Sequence, residues 1–74
     1  MIRNEQERLR MGERIATLRK SRGYTQAELA DMTGLQRSHI VRLEQGRYGA
    51  TIDVLSAIAD ALGYKIDFTE IQNQ

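Results

Sequence analysis

Apolar residues fall along the chain in four groups at helical spacing, followed by one short stretch at a spacing of two. Leu9, Met11, Ile15 and Leu18 form a stripe that predicts a helix over residues 4–21, with Arg and Glu on its other faces. Asn4 followed by Glu7 is a capping box for its start, and Gly23 stops it. Gly12 lies inside this helix and costs about 1 kcal/mol relative to Ala. The part before it is therefore expected to fray or to serve a separate interface. Thr25 followed by Glu28 is a second capping box. It opens a helix over 25–33 that carries Ala27, Leu29, Ala30 and Met32, with Tyr24 as a staple residue just before the cap. Gly34 can take a left-handed conformation at no steric cost and ends it. Ile40 and Leu43, three apart, with Leu35 five before Ile40, mark a third helix over 36–45, closed by Gly46. After the loop Arg47-Tyr48-Gly49-Ala50, Thr51 caps a fourth helix over 51–62, with Asp53 well placed near its N-terminus. Its core-facing stripe is Ile52, Leu55, Ile58, Ala59 and Leu62, and Gly63 stops it.

From Tyr64 to Ile71 the period changes to two. Tyr64, Ile66 and Phe68 face one way and Lys65, Asp67 and Thr69 the other, which predicts a strand. No second strand is available in the chain, and a lone strand leaves a row of backbone groups unpaired. Pairing with the same strand of a second copy about a two-fold axis is the expected solution. The alternative is an extended tail lying on the protein's own surface. Gln72 to Gln74 read as a disordered end.

The expected fold class is therefore mainly α: a compact four-helix domain over residues 1–74, with one C-terminal strand that pairs between chains. Its centre is Thr25 to Gly46, a helix, a glycine turn and a second helix. That is a helix-turn-helix, in which the second helix enters the major groove of DNA. The exposed positions of that second helix are expected to be Gln36, Arg37, Ser38, His39 and Arg42, all able to donate hydrogen bonds to bases and phosphates.

Length and composition narrow the classes further. Seventy-four residues make one small domain, marginal alone, for which dimerisation is a common remedy. With no Cys and a single His, neither disulfides nor a multi-His metal site can be built within one chain, so no metal and no cofactor are expected. No apolar run approaches the roughly 20 residues of a membrane span, and no signal-peptide pattern is visible. A cytoplasmic protein without membrane contact is expected. Net charge is only +1, but its distribution is uneven. Residues 1–47 hold ten Arg/Lys against six Asp/Glu, and residues 48–74 hold one against four. The helix-turn-helix thus lies in the basic part and the acidic residues gather at the other end. Nine of the eleven basic residues are Arg, which suits forked contacts to phosphate and guanine.

The blocks Thr25-Gln26-Ala27-Glu28-Leu29-Ala30, then Gly34, then Ile40-x-Arg42-Leu43-Glu44-x-Gly46 resemble the phage-repressor and Cro-like regulators, also called the xenobiotic-response-element family. The resemblance covers about Ile15 to Leu62. One departure is Leu35-Gln36, where many members have a Ser or Thr cap. The resemblance implies base reading by Gln36, Arg37, Ser38 and Arg42. It places Gln26 on a phosphate-binding position and Arg47 and Tyr48 on a loop that touches the DNA backbone. Tyr48 can equally be a surface aromatic packed on its loop. Thr25 can reach phosphate, although capping is its more secure role. The family's matching positions also imply an ion pair between Arg19 and Glu44 that fixes the recognition helix against the first helix.

No catalytic constellation is visible: His39 has no carboxylate orienter, and the six glycines never form a phosphate-cradling loop. The chain is not expected to be an enzyme. The leading expectation is a dimeric repressor that binds double-stranded DNA at a palindromic operator. The alternative is an antitoxin, which binds a toxin protein and represses its own operon. A restriction–modification controller fits almost as well, but that class is usually all-helical at its C-terminus, so the expected strand counts against it.

Overall fold

A computed structural model describes residues 3–72. Four helices follow one another: α1 (Glu5–Ser21), α2 (Gln26–Thr33), α3 (Arg37–Glu44) and α4 (Ile52–Leu62). Each start has a local cause. The Asn4 side chain accepts from the Glu7 N–H at 3.1 Å, but Glu7 does not reciprocate: its carboxylate takes two hydrogen bonds from Arg10 instead. That Arg10 contact holds the exposed Glu7 carboxyl below its ordinary pKa, through the hydrogen bond first. The Thr25 box is complete, with Glu28 N–H donating to Thr25 Oγ1 and Thr25 N–H donating to Glu28 Oε1. Thr51 accepts from the Val54 N–H. Gln36 precedes α3 and makes no side-chain cap bond, so the departure from a Ser or Thr at this point leaves α3 uncapped.

The core consists of Ile15, Leu29, Ala30, Ile40, Leu43, Ile58 and Leu62, drawn from all four helices. α3 packs against both α1 and α2, and α4 closes the other side of α2. Four positions in the predicted apolar stripes are exposed instead, the first being Leu9 on α1 at 52%. Met32 and Ala27 on α2 are exposed, because a helix of two turns can turn only a narrow stripe inward, here Leu29 and Ala30. Ile52 is 72% exposed at the first turn of α4, before that helix reaches the core.

α1 is continuous through Gly12 and does not fray there. The reason is a close crossing. A Cβ on Gly12 would collide with the carbonyl oxygen of Leu43 and lie 2.8 Å from that of Glu44, both backbone atoms of α3. On the other side of the same crossing, Gly46 stands against Leu9: a Cβ there would lie 2.9 Å from the Leu9 Cα. Gly46 also takes φ 74°, and the Arg47 N–H behind it donates to the Arg42 carbonyl at 2.9 Å, which ends α3 sharply. Two missing side chains therefore let α1 lie directly on the backbone of α3.

The expected C-terminal strand is a correction. Among the described residues there is no strand; after Leu62 the chain has no regular structure. Tyr64 still belongs to the helix end: its N–H donates to the Ala59 carbonyl, and its ring lies 5.5 Å from the Arg22 guanidinium, which itself donates to the Leu62 carbonyl. Beyond it Ile66 is exposed, and Phe68 is 100% exposed, its N–H satisfied locally by Asp67. The physical reason is that an alternating pattern specifies a strand only if another edge offers a ladder, and the single chain has none. Residues 73 and 74, part of the end expected to be disordered, lie outside the described residues.

Gly12→Ala should separate the two roles of that position. Helix propensity alone favours Ala by about 1 kcal/mol, whereas forcing a methyl into two backbone carbonyls costs about 1–3 kcal/mol or more. We expect net destabilisation in urea unfolding; a more stable variant would show that the crossing is loose.

Candidate nucleic-acid interface

The site is built outward from Glu44, the last residue of α3. Arg19 Nε donates to Glu44 Oε2 at 2.7 Å and Arg19 Nη2 to Oε1 at 3.0 Å, a forked pair whose side chains are 9% and 7% exposed. Arg19 Nη1 donates to the Tyr24 carbonyl at 2.8 Å, so the guanidinium also fixes the turn between α1 and α2. The hydrogen bond to Glu44 raises the Arg19 pKa above its ordinary value, against the opposing effect of burial. Gln26 Nε2 donates to Glu44 Oε1 at 3.0 Å. One carboxylate on α3 thus receives donors from α1 and α2, and its charge is met inside a nearly dry site.

This lock faces inward together with Ile40 and Leu43. Ser38 and Arg42 on the opposite side, and Gln36 and Arg37 at the N-terminal end, are all exposed. Because Gln36 does not cap α3, the N–H groups of its first turn have no side-chain acceptor. Arg47 is exposed at the start of the next loop and Tyr48 is half-buried. Thr25 uses its oxygen to accept from Glu28, which leaves the hydroxyl hydrogen available to donate outward. Gln26 has one amide hydrogen committed to Glu44, so its side chain is tied inward while its backbone stands at the first turn of α2.

His39 differs from its expected exposed position. It is half-buried, and its Nε2 is buried with no hydrogen-bond partner among the described residues. Its ring meets Tyr48 in a T-shaped contact, centroids 4.5 Å apart and planes at 83°. The Arg42 guanidinium lies 5.8 Å from the centroid of the same Tyr48 ring. Sequence reading did not find this group, although the spacing of His39 and Arg42, three apart, puts both on one helix face. The Gln26–Glu44 bond was missed too, since nothing in the spacing links the two helices. No cluster of three or more His, Cys, Asp or Glu able to hold a metal occurs among the described residues. No described helix is long and apolar enough to cross a membrane.

Residues 15–68 match the helix-turn-helix family HTH_3. The chain belongs to this family of DNA-binding transcriptional regulators. A 56-residue stretch is 39% identical to the immunity repressor protein of Bacillus phage phi105, covering 76% of this chain and 39% of that protein. A second relative, an uncharacterised HTH-type transcriptional regulator of Methanothermobacter thermautotrophicus, is 47% identical over 45 residues, 61% of this chain and 65% of that one. The chain thus spans less than two thirds of the length of both. Among solved structures, the restriction-modification controller protein C.AhdI from Aeromonas hydrophila superposes with a TM-score of 0.79 at 28% identity, over 81% of this chain and 91% of that one. The biofilm master regulator SinR, solved in complex with DNA, gives a TM-score of 0.71 at 28% identity, over 74% of this chain and 89% of that one.

A double-mutant cycle on Arg19→Ala and Glu44→Ala measures the lock. Either single change strands a buried charge and should cost about 3–5 kcal/mol. The double variant should lose less than the sum. Additive losses below about 1 kcal/mol in total would mean two independent surface charges.

Proposed function

We infer that the chain is a sequence-specific DNA-binding repressor of transcription, acting as a dimer on a palindromic operator. The observation that carries this reading is the two-sidedness of α3. Its inner side is tied to α1 and α2 through Glu44, while Gln36, Arg37, Ser38 and Arg42 stand outside with no core role. A helix held rigidly from behind and bare in front is what major-groove reading requires. Arg37 and Arg42 have the forked donors that suit guanine, and Gln36 the amide that suits adenine. Thr25, the first turn of α2 at Gln26, Arg47 and Tyr48 are assigned to phosphate, where a helix N-terminus and a cation both favour an anion. Likeness to an immunity repressor and to a regulator solved on DNA supports the same reading.

Repression follows from occlusion. A dimer sets two recognition helices about 34 Å apart, one turn of DNA, and covers the site against other proteins. The small core and the exposed apolar residues Ile66, Phe68 and Ile71 support association of two copies.

A restriction–modification controller is the second reading. The expected strand weighed against it, and no strand occurs among the described residues; C.AhdI is also matched over nearly its full length. The antitoxin alternative loses the strand that favoured it, and co-purification with the product of a neighbouring gene tests it.

Selection of bound sites from random DNA at several salt concentrations tests the main reading. A two-fold symmetric consensus is expected. Arg37→Ala should lower discrimination at one base pair by about 1–3 kcal/mol. Arg47→Ala should instead weaken binding to every sequence and flatten the salt dependence. Equal losses on operator and random DNA for Arg37→Ala would sink the base-reading assignment.

A further inference from the structure

We propose that Tyr48 is a positioning residue: its ring holds the Arg42 guanidinium in one direction and so sets the base pair that Arg42 reads. This rests on α3 being the recognition helix. Three observations meet at Tyr48. Arg42 lies over its ring at 5.8 Å. His39, one turn earlier on the same face, meets the ring in a T-shaped contact at 4.5 Å. The His39 Nε2 is buried and has no hydrogen-bond partner among the described residues.

The last point matters because a buried polar nitrogen left unpaired is costly. A side chain with no role here would be better replaced by an apolar one or turned out to water. The neighbour the described residues give the His39 ring is Tyr48, in the edge-to-face arrangement that ring pairs prefer. Tyr48 also packs against the core, so its ring is held from two sides before it meets Arg42.

For an exposed arginine this changes what binding requires. A free guanidinium on four rotatable bonds loses much freedom when it locks onto a base. A cation already stacked on a ring has given up part of that freedom in the unbound protein. The role belongs to the ring and not to the hydroxyl, which separates it from the phosphate contact assigned to Tyr48 above.

The test compares Tyr48→Phe, Tyr48→Leu and Arg42→Ala by two readouts. In the free protein, the Arg42 Nε–H resonance should keep its ring-current shift in Tyr48→Phe and lose it in Tyr48→Leu. On DNA, Arg42→Ala identifies the base pair that Arg42 reads. Tyr48→Leu should lower preference at that pair about tenfold and leave other pairs unchanged. Tyr48→Phe should weaken operator and random DNA alike, through the lost phosphate contact, while the preference at that pair stays within about twofold of the parent. In the Arg42→Ala background, Tyr48→Leu should have no further effect at that pair. Two results overturn the proposal directly. One is Tyr48→Phe losing the preference at that pair as Tyr48→Leu does, which assigns the effect to the hydroxyl and not the ring. The other is an Arg42 resonance indifferent to Tyr48→Leu, which means there is no stack. A parent protein with no preferred DNA site overturns the underlying reading and the proposal with it. That case is distinguished by an Arg42 resonance that still responds to Tyr48→Leu.

Discussion

The carboxylate of Glu44 is the point on which the arrangement of the helices depends. It ends α3, lies in a nearly dry site, and takes three hydrogen bonds, two from Arg19 on α1 and one from Gln26 on α2. A buried pair of this kind is weak evidence for net stability, because desolvation consumes much of the attraction. Its contribution is specificity of arrangement. An apolar contact tolerates sliding, whereas a forked guanidinium–carboxylate pair is satisfied in one geometry. The third donor of Arg19, on the Tyr24 carbonyl, extends that constraint to the connection between α1 and α2.

The backbone crossing of α1 over α3 supports the same register by different physics. With Gly12 on the Leu43 and Glu44 carbonyls and Leu9 on Gly46, the two helices approach until backbone meets side chain. The ion pair sits two turns further along α1, at Arg19. One contact is steric and the other electrostatic, and together they fix both position and rotation of an eight-residue helix that two buried apolar side chains, Ile40 and Leu43, hold less completely by themselves. With seven buried apolar residues among those described, such polar and steric constraints carry more of the definition than they would in a large core.

Much of this is written in local chemistry. Thr25 with Glu28, Thr51, Gly34 and Gly63 mark helix ends through bonds between near neighbours, so a linear reading can find them. Gly12 was legible only as a propensity defect, because its use depends on a carbonyl 31 residues away in sequence at Leu43. The Glu7 carboxylate chose Arg10 over the cap, a competition between neighbours that spacing alone does not rank. Tyr64 to Phe68 misled for the opposite reason: alternation was present, but a strand is a property of two edges and the chain supplies one. At the candidate interface, Gln36 and Arg37 are exposed because they stand at the N-terminal end of α3, whereas exposure of Ser38 and Arg42 follows from helix periodicity. The burial of His39 does not, since it depends on where the loop after Gly46 puts Tyr48.

The division of α3 into a bound inner side and a bare outer one separates two kinds of change. Exchanging Gln36, Arg37 or Ser38 disturbs no described hydrogen bond or buried contact, and surface substitutions of that sort usually shift stability by about half a kcal/mol or less. Ile40, Leu43 and Glu44 allow no such freedom. The scaffold can therefore accept a new lettering on its front without relearning how to fold, so divergence in target could run far ahead of divergence in architecture.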